Sequence, residues 1–142
     1  IYAVPGMLFA ATHARNDIPS VLKNYEKKLQ QQSTNGKQVR IHYGSELGLH
    51  PAMIEAFQTR IYQAMQMDCT APPKSIHDTM LVVVGRGTSD TLANAEAAKL
   101  TRIVNENMGF GWSETVYSGV TYPSVGRGLE MAVKLGFKKI FE

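Results

Sequence analysis

Met7-Leu-Phe-Ala-Ala-Thr-His13-Ala-Arg-Asn-Asp-Ile-Pro19 decides how the rest of this sequence is read. Its apolar run, Met7 to Ala11, reads as a buried strand that ends in a histidine. A helix start follows at once. Asn16 or Asp17 suits the N-cap, and Pro19 suits the first turn, where a missing N–H costs nothing. His13 is therefore expected just past the carboxyl end of a strand, beside a helix N-terminus. In an open parallel α/β sheet, that rim is where ligands bind. The positive end of the helix dipole favours a neutral ring there, and neutral imidazole ligates metals and accepts protons. The bland alternative is a loop histidine with a satisfied hydrogen bond and no chemistry.

Working outward, Ile1 to Val4 extends the first strand across Pro5-Gly6. Ile18, Val21, Leu22, Tyr25 and Leu29 recur at helical spacing as a core-facing stripe. Ser33 to Gly36 stops that helix. Val39 to Tyr43 is a short strand in which His42 reads as structural. A loop leads to His50-Pro51, where Pro51 opens a helix with Met53, Ile54, Phe57, Ile61 and Met65 on its apolar face. Residues 69–78 hold Pro72-Pro73 and no periodicity, and read as a linker between 1–68 and 79–142. His77 is then an exposed linker residue.

Thr79 to Val84 is the most strand-like stretch, apolar enough for burial on both faces. It breaks at Gly85-Arg-Gly-Thr-Ser-Asp90, and a helix runs to about Met108 with Ala93, Ala97, Leu100 and Val104 inward. A strand over Ser113 to Tyr117 follows. Pro123 opens a last helix with Val125, Leu129, Ala132 and Val133 inward, closed by Gly136. Lys138 to Phe141 starts a final strand. The order β-α-β-α, linker, β-α-β-α-β means an α/β protein with parallel strands, flanking helices and right-handed crossovers. Residues 7–17 and 80–90 echo each other, each running strand, basic residue, capped helix.

Composition narrows the function. With 142 residues, 44% of them hydrophobic, the chain can bury a core and is not disordered. A net charge of +3 and pI near 9.0 suit an anionic small ligand, but the basic residues do not interleave with aromatics as a nucleic-acid surface requires. One cysteine, Cys69, rules out an internal disulfide or a CxxC site and fits a reducing cytoplasm. No apolar run reaches the ~18 residues of a membrane helix, so no membrane is expected. Gly85 to Asp90 lacks the third glycine of a dinucleotide fingerprint and the Gly-Lys-Ser/Thr of a P-loop, so no nucleotide is expected. Its glycines and N–H groups still suit an anion, and Arg86 can grip a carboxylate in a fork. The structural alternative is a tight turn with an exposed arginine. His50 lies at a second strand-to-helix junction, on the same expected rim as His13.

Pro5-Gly-Met-Leu-Phe-Ala-Ala-Thr-His13-Ala-Arg-Asn-Asp-Ile-Pro19-Ser-Val-Leu22 resembles a segment of the class II tetrapyrrole chelatases, in particular the long, two-domain sirohydrochlorin cobaltochelatases of cobalamin biosynthesis. His42 to Pro51, Val82 to Asp90 and Tyr117 to Pro123 resemble further stretches of them. The resemblance implies chelatase-like, flavodoxin-like half-domains and insertion of Co²⁺ or Fe²⁺ into sirohydrochlorin without a nucleotide. It implies His13 as metal ligand and proton acceptor. Arg86, His50 and Arg15 become candidate contacts for substrate carboxylates. It further implies that residues 1–68 are the back half of one domain and 79–142 the front of the next. The first domain's opening His-Gly turn would lie upstream of Ile1, and Arg86 stands where the second domain's histidine is expected. Pairing with the remainder of the chain, or a homodimer, would complete the site. The rival expectation is a non-catalytic flavodoxin-like module that binds a tetrapyrrole or a metal without turnover.

Overall fold

The computed structural model describes residues 1–32, 38–65, 76–137 and 139–141. The expected helix stop at 33–36, the Pro-Pro stretch and Cys69 lie outside them. Contacts divide the chain into two compact units, Ile1–Gly48 and Leu49–Glu142. Among the described residues, no helix is long and apolar enough to cross a membrane.

The first unit holds β1 (Tyr2–Ala3), a π-helical turn (His13–Asp17), α1 (Ile18–Gln32) and β2 (His42–Tyr43). β1 and β2 pair in parallel, Tyr2 with His42 and Ala3 with Tyr43. The expected buried strand over Ile1–Val4 and Leu8–Ala11 shrinks to these two residues. Helices laid over both faces bury a strand, and pairing along its edges sets how far it runs. β1 has one neighbour among the described residues, and Ile1, Tyr2 and Val4 are exposed. Residues 8–11 are not strand; instead Met7 and Leu8 accept hydrogen bonds from the backbone of Leu47 and Gly48.

The helix start also differs. Helical backbone begins at Thr12, which makes no side-chain cap, rather than at Asp17. Asp17 does not cap because it lies a full turn inside the helix, where its carboxylate meets His13 instead. Pro19 keeps its expected place in the first turn of α1. Only Ile18, Leu22 and Leu29 of the α1 stripe are half-buried; Val21 and Tyr25 are exposed. Glu26 lies on the inner side, where its carboxylate accepts from the Ile41 N–H at 3.2 Å and ties α1 to the approach of β2.

The second unit holds α2 (Pro51–Ala64), β3 (Ile76–Gly85), α3 (Thr91–Met108), β4 (Phe110–Tyr117), α4 (Val125–Lys134) and β5 (Lys139–Phe141). Its sheet has the order β4-β3-β5, all parallel, with β3 in the centre. The Leu-Val-Val-Val run thus occupies the strand with neighbours on both edges, as its composition demands. β3 begins at Ile76, so His77 is an exposed strand residue rather than a linker residue.

Side chains alternate between the faces of the sheet. Met80 and Val82 pack with Val116 of β4 and Ala132 of α4, with Val125 and Phe137 against them. On the opposite face, the buried Thr115 hydroxyl meets that of Thr101 in α3 at 2.8 Å, and Thr101 donates on to the Ala97 carbonyl. The apolar stripe of α3 is inward as expected, and Gly109 ends the helix at φ 79°. Val133 of α4 is exposed, against expectation, because Gly128 and Ala132 form the buried side of that helix.

Gly128 lets α4 approach the sheet: a Cβ built there would land on Cγ1 of the fully buried Val116. Alanine would favour the helix by about 1 kcal/mol but overpack the core by about 1–3 kcal/mol. Gly128→Ala is therefore expected to lower the urea midpoint at unchanged slope. A raised midpoint would contradict this packing.

Candidate functional site

His13 opens the π-helical turn. Its backbone carbonyl accepts from the Ile18 N–H, the i→i+5 bond that defines the turn. Ala14 faces inward at 5% exposure, and its carbonyl accepts from the Tyr43 hydroxyl at 3.1 Å. That pair of inward contacts leaves His13 and Asp17 on the solvent side, with side chains 82% and 56% exposed. His13 Nδ1 lies 2.6 Å from an Asp17 carboxylate oxygen. An ionised carboxylate accepts and cannot donate, so the ring donates from Nδ1. In the neutral ring, Nε2 then carries the lone pair and is open to solvent.

Arg15 lies in the same turn, exposed, two residues on. His42 is in β2, stacked on Tyr2 with ring centroids 5.1 Å apart, which agrees with a structural role.

In the second unit, His50 is the N-cap of α2. It has extended backbone, Pro51 follows it, and its Nδ1 accepts from the Ala52 N–H at 3.2 Å. In the neutral ring this leaves Nε2 with the proton. His50 can offer a donor outward, the reverse of His13.

The Gly85–Asp90 loop is held mostly by its own side chains. The Thr88 N–H donates to the Asn94 side-chain oxygen, and the Asn94 amide donates back to the Thr88 carbonyl at 2.8 Å. The Thr88 hydroxyl accepts from the Asp90 N–H, and Asp90 caps the N–H groups of Leu92 and Ala93. Of the loop's own N–H groups, those of Thr88 and Asp90 are thus taken, by Asn94 and by the Thr88 hydroxyl. Gly87, at φ 81°, has no room for a Cβ beside Thr121. Arg86 stands exposed on this loop and forms no ion pair among the described residues.

His13 with Arg15, and His50 with Arg86, thus belong to separate units. Among the described residues no three of His, Cys, Asp and Glu cluster as a metal site. Sequence reasoning missed Asp17 as the partner of His13, although the i,i+4 spacing carried the signal. It also missed Asn94 and Tyr117. The Tyr117 ring lies against Gly85, and its hydroxyl donates to the Asn94 carbonyl at 2.9 Å.

The chain was then compared with known proteins. A family model described as CbiX matches residues 1–64 and 80–141. The sirohydrochlorin cobaltochelatase of Priestia megaterium is 31% identical over 140 residues, which span 99% of this chain and 42% of that protein. The sirohydrochlorin ferrochelatase of the same organism is 28% identical over 142 residues, 99% of this chain and 48% of that protein. The chain therefore spans less than half the length of these curated relatives. The solved structure of SirB from Bacillus subtilis with Fe³⁺ superposes at a TM-score of 0.74 and 21% identity, over 99% of this chain and 50% of that one, and shares the fold.

Burial, and then the charge of Glu114, push the Tyr117 phenol above its ordinary 10.0. The folded state holds that proton more tightly than the unfolded one. Its contribution is intact below the ordinary value and is lost as pH rises through the folded value. Tyr117→Phe is expected to cost about 1 kcal/mol at neutral pH through the lost hydrogen bond. It should also flatten the fall in stability at alkaline pH, measured by urea unfolding across pH. An unchanged alkaline fall would contradict the assignment.

Proposed function

The chain belongs to the CbiX family, and on that premise we propose that it serves the insertion of Co²⁺ or Fe²⁺ into sirohydrochlorin. The observation that carries the reading is the state of His13. Its ring is exposed, its Nδ1 is engaged, and its Nε2 is free to meet an ion. Entry of a divalent ion into the macrocycle displaces two pyrrole N–H protons. One imidazole lone pair holds one ion or one proton at a time. His13 therefore hands over the ion first and takes one of the two protons afterwards, in the manner of a general base, while the other leaves to solvent water. Imidazole suits both Co²⁺ and Fe²⁺, and affinity alone does not choose between them.

The substrate carries many carboxylates. Arg15, in the same turn as His13, would hold one beside the reacting centre. Arg86, exposed on its loop, offers a fork, and His50 offers a single N–H donor. Co²⁺ or Fe²⁺ is substrate here, and the reading calls for no nucleotide, nucleic acid or membrane. A further domain of the same protein, or a second copy of this chain, would close the other side of the macrocycle. The lone Cys69 fits action in a reducing cytoplasm.

The test follows the visible spectrum of sirohydrochlorin mixed with Co²⁺ and protein. Metal insertion shifts the spectrum progressively with time. Binding without turnover gives an immediate, stoichiometric change that then stops. In a protein that turns over, His13→Ala is expected to slow the progressive shift by about a hundredfold. A full rate in that variant would refute the role given to His13, and an immediate change alone would favour the binding module.

A further inference from the structure

The contact between Asp17 and His13 needs an explanation beyond stability. Both side chains are exposed, and an exposed ion pair contributes little to stability. The backbone around it is nonetheless specialised. The turn closes with the i→i+5 bond of a π-helix, a rare geometry that recurs at functional sites. Ala14 anchors the turn inward through the Tyr43 hydroxyl, which fixes the outward direction of residues 13 and 17.

What the contact does decide is the tautomer. A solvent-exposed imidazole without a partner favours the proton on Nε2. That form presents Nδ1, the nitrogen crowded by its own backbone, to an ion. An acceptor held 2.6 Å from Nδ1 reverses the choice. Metal-binding histidines elsewhere are oriented in this way by a carboxylate on the other ring nitrogen. His50 shows the contrast within the same chain: its Nδ1 accepts from backbone, so its Nε2 holds the proton.

We infer that Asp17 is a positioning residue, which keeps the proton of His13 on Nδ1 and so presents the Nε2 lone pair to the incoming ion. This rests on the reading of His13 as the ion's ligand. Asp17 itself touches neither ion nor macrocycle.

The experiment uses the chain with ¹⁵N-labelled histidine, at about pH 8, above the ordinary histidine range. Two-bond nitrogen–proton correlations report which ring nitrogen of His13 is protonated. The chain is expected to show Nδ1–H at His13 and Nε2–H at His50. In Asp17→Ala, His13 should move to mainly Nε2–H while His50 stays as it was. A Co²⁺ titration should then show affinity weakened by about 10–100-fold, the scale found when such an outer carboxylate is removed. Far-ultraviolet circular dichroism of the same samples checks that α1 is retained. The spectrum of the unaltered chain needs no variant, so Nε2–H at His13 there would overturn the inference outright. An unchanged tautomer or unchanged Co²⁺ affinity in Asp17→Ala would overturn it while leaving His13 as a ligand. If His13→Ala binds Co²⁺ as tightly as the unaltered chain, the ligand reading falls and takes the inference with it.

Discussion

One proton, held between His13 and a carboxylate that has none to give, settles which nitrogen of the ring faces solvent. The chemistry assigned to this chain depends on that placement. A lone pair on Nε2 projects away from the backbone and reaches a metal ion without moving the chain. The same lone pair on Nδ1 lies close to the turn. The surrounding structure serves this choice in small steps. Ala14 packs inward, Tyr43 ties the turn to β2, and the π geometry sets residues 13 and 17 side by side.

The second unit is built on a different constraint. A parallel strand in mid-sheet must be apolar on both faces, and β3 meets that demand with Met80 to Val83, all but buried. Its neighbours are fitted to it with small residues where helix and sheet come closest, as Gly128 shows beside Val116. At the carboxyl end of β3, Asn94 and the Thr88 hydroxyl meet the loop's Thr88 and Asp90 N–H groups, Asp90 caps α3, and Arg86 is left as an exposed charge.

Much of the architecture was legible before any coordinates. The order of strands and helices, the span of α3 and the parallel pairing all follow from periodicity and from the Leu-Val-Val-Val run. Those signals are strong because burial on two faces leaves few alternatives. The first strand was misjudged for the same physical reason in reverse. Met7 to Ala11 is apolar enough for a buried strand, but pairing partners decide whether a strand forms, and a sequence does not display them. Val21, Tyr25 and Val133 carry helical periodicity yet face outward, since periodicity marks a face without stating what covers it. His13 stands out in the sequence as a histidine between an apolar run and a helix, and the structure sets it within the first turn of that helix. Asp17 was misread because an acid at a helix start fits a cap equally well. Only distance separates the two roles. The Asn94 bracket around Thr88 left no sequence signal, because it is made by an ordinary helix residue reaching back six positions to the loop.

The most direct measurement is the position of cobalt itself. Crystals of the chain equilibrated with Co²⁺, with anomalous scattering recorded at the cobalt edge, would locate the ion without reference to turnover. The account predicts a peak at about 2.1 Å from Nε2 of His13, with Asp17 still on Nδ1. Cobalt bound through Nδ1, or bound elsewhere with His13 unoccupied, would contradict it.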